Sequence, residues 1–155
     1  MDRALACALI FTWGLTMTLK RYAAIAAIAL SLAAQTRETF KARLSAVPAD
    51  IRTRADLAGS GSVTAVLDGA KLAITGSFEG LRTAATTANL HSSVAAGVRG
   101  PAIADLSLPK ATSGMIAGSI ELTPPQITSL HHGGLYIEIH NEKSPDGVLW
   151  GWLLR

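Results

Sequence analysis

Cysteine is almost missing from this chain of 155 residues, the single one being Cys7. Everything beyond it lacks an intramolecular disulfide, a thiolate nucleophile and a thiolate metal ligand, so stability must come from an ordinary core. Charge is scarce too, at 16% of residues, and aromatics make up only 5%. The net charge of +3 shrinks once the first 34 residues are set aside. Arg3, Lys20, Arg21 and Asp2 lie there, and 11 basic and 10 acidic residues remain. No basic patch with interleaved aromatics occurs, so nucleic acid is not an expected partner. "GSGS" at 59–62 lacks the lysine of a phosphate loop and precedes a strand pattern. No G-x-S-x-G elbow occurs, and no spacing of Ser, His and Asp identifies a triad. These absences point away from an enzyme.

Apolar residues are plentiful, at 49%, and their excess sits in the first 34 positions. "MTLKRYAAIAAIALSLAAQT" has the three parts of a signal peptide. Lys20 and Arg21 form the positive region, Tyr22 to Leu32 the apolar region, and Ala33 and Ala34 the small residues before Gln35. Cleavage after Ala33 or Ala34 is expected, with a leader over 1–34 and a domain over 35–155. The apolar region is shorter than the about 20 residues of an ordinary span. The upstream run "MDRALACALIFTWGL" is not needed for export, and a start at Met17 would explain it. The rival is an uncleaved leader that anchors the chain. Lys20 and Arg21 oppose it, since each costs about 2.5–3.5 kcal/mol near the bilayer centre. "ALAC" offers too few residues before Cys7 for lipidation. The expected address is exported, periplasmic or extracellular, with membrane anchoring as the alternative.

From Glu38 onward the apolar period is mostly two. Phe40, Ala42 and Leu44 alternate, as do Val63, Ala65 and Leu67, then Leu72, Ile74, Gly76 and Phe78. Asp68-Gly69 is read as a type I′ turn between the last two runs. "TTANLH", "AIADLSL" and "MIAGSIELT" are further strands, and "LYIEIHN" and "GVLWGWLLR" form a last hairpin around "EKSPDG". "TPPQITSLHHGG" is a short helix, with Thr123 as cap, a proline at its first position and Gly133 ending it. Seven or eight short strands with Gly and Pro between them imply an all-β antiparallel sandwich or barrel.

The pieces "FKARLSAVPA", "GSGSVTAVLD", "LAITGSFEGL", "TTANLHSSVAAGVRGP", "LTPPQITSLHHGGLYIEIHN" and "PDGVLWGWL" follow one another in order. Together, from Phe40 to Leu154, they resemble the CHRD domain, the module repeated in chordin and found alone in bacterial secreted proteins. The resemblance implies an immunoglobulin-like sandwich of about seven to eight strands. In chordin the repeats belong to an extracellular antagonist of growth factors, a role that does not transfer to a lone domain. Family members often carry His-x-His where this chain has Asn89-Leu90-His91. The later histidine is kept as His140, and the closing GxxxGxL as Gly147, Gly151 and Leu153. The position before the last glycine, often basic in the family, is Trp150.

In "LYIEIHN", Tyr136, Glu138 and His140 share the face opposite Leu135, Ile137 and Ile139. Asn89 and His91 share a face in "TTANLH". If these strands lie side by side, His91 and His140 could hold copper or zinc, with Asn89 or Glu138 assisting. Glu138 lies about 6.5–7 Å from His140 along the strand. The competing reading makes these histidines structural, each hydrogen-bonding a loop carbonyl. A metal-dependent enzyme would need a richer ligand set. His131 and His132 suit a helix C-terminus and could also catch metal adventitiously. Trp150 and Trp152 share a face expected to pack in the core. The leading reading is an exported, non-enzymatic module that binds a protein partner, with a copper- or zinc-binding protein as the alternative.

Overall fold

The computed structural model describes residues 37–48 and 57–155. The leader expected over 1–34 lies outside them. No helix among the described residues is long and apolar enough to cross a membrane. The strands are β1 (Arg37–Ala46), β2 (Ser60–Asp68), β3 (Lys71–Glu79), β4 (Ala85–Ser92), β5 (Ala102–Leu106) and β6 (Gly114–Glu121). A helix, α1 (Pro124–His131), precedes β7 (Leu135–Asn141) and β8 (Ser144–Trp152).

All pairings are antiparallel, in the order β5-β4-β7-β8-β1-β2-β3-β6. The all-β reading and the strand number hold. The two halves of the expected sandwich are joined into one sheet that nearly closes into a barrel. The long strand β1 makes the join. It pairs with β2 from Arg37 to Leu44. Its end then pairs with β8 through Ser45↔Trp150 and Ala46↔Leu149, and Lys41 bridges Leu154. The outermost strands meet near Ser107↔Ala117. Closure removes most of the free edges that would otherwise recruit other chains.

Alternation places Phe40, Ala42 and Leu44 of β1 in the core with Val63, Ala65 and Leu67 of β2. Leu72, Ile74 and Phe78 of β3, Leu90 of β4, and Leu135, Ile137 and Ile139 of β7 complete its centre. Burial of this apolar surface supplies the main stabilisation, at about 25 cal/mol per Å². Glycine is needed at Gly151, where a β-carbon would lie 2.6 Å from the Arg43 carbonyl oxygen and 2.9 Å from the Leu44 side chain. Any side chain there would push β8 away from β1.

Two turns differ from the sequence reading, one shifted by a residue and one tighter. Asp68 pairs with Lys71, so Gly69-Ala70 forms the loop, with Gly69 at φ 63°. The left-handed residue thus stands first in the turn, and Asp68 stays in the ladder. Asn141 pairs with Ser144, so the last hairpin turns at Glu142-Lys143 and "SPDG" belongs to β8. The helix follows its expected signals. Proline stands in its first turn, Gln126 Oε1 accepts from the Thr123 N–H at 2.9 Å, and Gly133 has φ 71°.

Candidate functional site

Antiparallel sheets ordinarily bury one face and wet the other. β1 and β3 obey this rule, whereas six of the seven residues in β7 are buried. Leu135, Ile137 and Ile139 face the core, so the outward residues Tyr136 and Glu138 are buried from the other side. The cover is the segment between β4 and β5. Ser93 N–H donates to the Gly134 carbonyl and Ser129 Oγ–H to the Ser93 carbonyl. Gly100 N–H donates to the Tyr136 hydroxyl oxygen at 3.1 Å. Arg99 donates to the Asp146 carbonyl at 2.8 Å and lies 5.5 Å above the Trp150 ring.

Register sets the composition of this face. β4 and β7 pair so that His91 opposes Tyr136, Asn89 opposes Glu138, and Thr87 opposes His140. On the other side of β7, Trp152 opposes Tyr136 and Trp150 opposes Glu138. The rings stack in a row. His91 lies 4.7 Å from Tyr136 at 19°, Tyr136 lies 4.3 Å from Trp152, and Trp150 meets Trp152 edge to face. Trp150 and Trp152 are therefore half-buried on the outer face, not in the core as expected. Leu149, Gly151 and Leu153 take the inward positions of that strand instead. Burial also pushes the Tyr136 phenol above its ordinary range.

The structure brings together His91, Glu138 and His140. One ligand atom from each lies within 4.8 Å of the others. Glu138 is 1% exposed. Its Oε1 lies 3.1 Å from Arg99 Nη1, an ion pair without a hydrogen bond, and its Oε2 lies 3.7 Å from His91 Nε2. His91 Nδ1 contacts the Gly100 carbonyl and His140 Nδ1 the Pro145 carbonyl, each at 2.9 Å. Gly147, with φ 106°, makes room for the carboxylate, since a β-carbon there would overlap Glu138 Oε1. A depression of about 460 Å³ opens beside His140 and is lined in part by Thr87, Asn89 and Pro145.

Asn89 shares this face, yet its amide donates to Asp105 on β5 at 2.5 Å. His132 accords with the helix-end reading, its Nδ1 lying 2.8 Å from the Thr128 carbonyl. His131 turns instead to Glu38 at 3.0 Å and stacks on Phe40. Sequence reasoning missed Arg99, which lies in the loop between β4 and β5, and it noted Gly147 only as a kept family position, without its contact to Glu138. It also left Tyr136 without a role. The outward aromatics Tyr136, Trp150 and Trp152 were the available signal, since three large rings on a wet face require a cover.

The family model described as CHRD domain matches residues 40–153. No curated protein matches, and no solved structure matches.

Proposed function

The chain belongs to the CHRD domain family, and from that premise we propose that it is an exported, non-catalytic interaction module. The observation that carries the reading is the family match over 40–153, which spans the eight-stranded barrel from β1 to the end of β8. The signal-peptide pattern before Gln35 supports export to the periplasm or the extracellular space. The outer face of β4, β7 and β8, with its covering segment, is the surface we assign to a protein partner. Val94 and Val98 on that segment are 88% and 46% exposed, and Arg99 of the same segment lies over the half-buried Trp150. Exposed apolar side chains next to aromatics and an arginine have the composition of an interface centre. An immunoglobulin-like sandwich, as the family resemblance implies, is compatible with the two four-stranded halves.

Two arms test this. A carboxy-terminal reporter that is active only outside the cytosol should be active on the full chain and silent after Lys20→Glu with Arg21→Glu. Photo-crosslinkers placed at Val98 and Trp150 should give discrete adducts in the exporting cell, while those at Arg43 and Met115 should not. A reporter confined to the cytosol, or equal adducts from both faces, would sink the reading.

A further inference from the structure

We propose that His91, Glu138 and His140 form a site for one divalent transition-metal ion that binds imidazole, Zn²⁺ or Cu²⁺. The site goes beyond the interaction reading, because it would hold the ion with or without a protein partner. Its three ligand atoms lie within 4.8 Å of one another. Ligand atoms in a tetrahedral site with bonds of about 2.0–2.1 Å sit roughly 3.4 Å apart. A shift of about 1–1.5 Å by the half-buried His140 ring would close the set onto that geometry.

The tautomers favour this. A carbonyl can only accept, so the Gly100 and Pro145 oxygens place the hydrogen of each neutral ring on Nδ1. Both Nε2 atoms then keep their lone pairs. Backbone carbonyls commonly fix ligating histidines in this way and raise the basicity of the ligating nitrogen. His91 Nε2 is buried and makes no hydrogen bond to any described residue. It faces Glu138 Oε2 at 3.7 Å, so two acceptors confront each other across a gap. A buried acceptor left unpaired, as His91 Nε2 is, is destabilising. A cation in the gap gives Nε2 a partner and neutralises Oε2, and a proton is its competitor.

Arg99 selects the type of ion. It holds Oε1 of Glu138 and leaves Oε2 turned towards His91. Its charge offsets the carboxylate, so the site lacks the surplus of anionic oxygen that Ca²⁺ and Mg²⁺ require. Binding strength must come from the two nitrogen donors, which suit zinc and copper. Of the three residues, His140 alone borders the open depression, and it is the ring by which an ion would enter.

The test is calorimetric titration of the full chain, purified without a histidine tag and stripped with chelator. Zn²⁺ and Cu²⁺ are used in separate arms. One equivalent of at least one ion is expected to bind. His140→Gln should weaken binding by about tenfold to a hundredfold and Glu138→Gln by about tenfold. His131→Ala with His132→Ala should change nothing. His91 packs against Tyr136, so it is read in the unaltered chain, where its ring ¹⁵N signal should shift on metal addition together with that of His140. The site is refuted by no saturable binding up to on the order of 1 mM of either ion. It is equally refuted by binding that survives both His140→Gln and Glu138→Gln, or by binding lost with His131 and His132. These readouts involve neither export nor crosslinking, so each proposal can fail without the other.

Discussion

The two halves of the barrel treat their outer faces differently. In β1, β2 and β3 inward residues are buried and outward ones are exposed or half-exposed, and one core accounts for the pattern. In β7 and the second part of β8 both faces are largely covered. A strand needs only one buried face to stay in a sheet. The second cover, from Ser93 to Pro101, hides a carboxylate, a phenol and much of an imidazole, groups that a core for folding alone would not select. Burying Glu138 carries a desolvation cost that only good partners offset. The difference teaches that the first half is built mainly for stability, while the second half carries stability inside and chemistry outside.

The comparison breaks most easily at the shared core. Ile74→Ala and Ile137→Ala remove one buried side chain from each half, and each should cost about 2–5 kcal/mol. Circular dichroism and the fluorescence of Trp150 and Trp152, read in a Trp13→Phe background, should report one coincident urea transition. Two separated transitions would show that the halves unfold independently.

Glycine substitutions sharpen the contrast. Gly147→Ala, on the chemical side, should cost about 1–3 kcal/mol from its left-handed backbone. It should lose more through overlap with Glu138, and Glu138→Ala should recover that extra part in a double-mutant cycle. Gly80, after β3, has φ 74°, but an added β-carbon would meet nothing nearer than 3.4 Å. Gly80→Ala should therefore show the backbone cost alone in denaturant midpoints.

Tyr136 gives a smaller effect, visible in alkali. Burial raises its phenol above the ordinary value of about 10. Its contribution to stability is complete below the unfolded-state value and is lost as pH rises through the folded one. Phenolate absorbance that Tyr136→Phe removes should appear late, and the alkaline limb of stability should flatten in that variant. The smallest effect belongs to Glu38 on β1. The Arg155 hydrogen bond holds its carboxyl below the usual range, with added attraction from His131. Stability from this group is present above the unfolded-state value and is lost as pH falls through the folded one. In Glu38→Gln the acid limb should change slightly at low salt and not at high salt, because exposed pairs are screened.

Much of this architecture is legible as text. Alternation in β1, β2, β3 and β7, the proline and glycine limits of α1, and the lack of thiol chemistry all follow from local rules. The rules concern side-chain period, backbone dihedrals and residue inventory, and they act within a few positions. The shared face of Tyr136, Glu138 and His140 is also readable, because the period in a strand is two. Local rules err where pairing decides, by one residue at Gly69-Ala70 and by four at Glu142-Lys143, since cross-strand register sets which residues leave the ladder.

The cluster itself belongs to the other category. His91 and His140 come within reach only because β4 pairs with β7 in one register. Asn89, one pleat away from His91, turns to Asp105 because β5 lies on its other side. Arg99 and Gly147 enter through a covering segment and a strand end, where no period carries information. Trp150 and Trp152 look like core residues in the sequence and lie outside it, because Leu149 and Leu153 already fill the inward positions. Strand faces are properties of neighbouring residues in the chain. Which faces meet, and what covers them, depends on contacts between segments tens of residues apart, and those exist only after the sheet has closed.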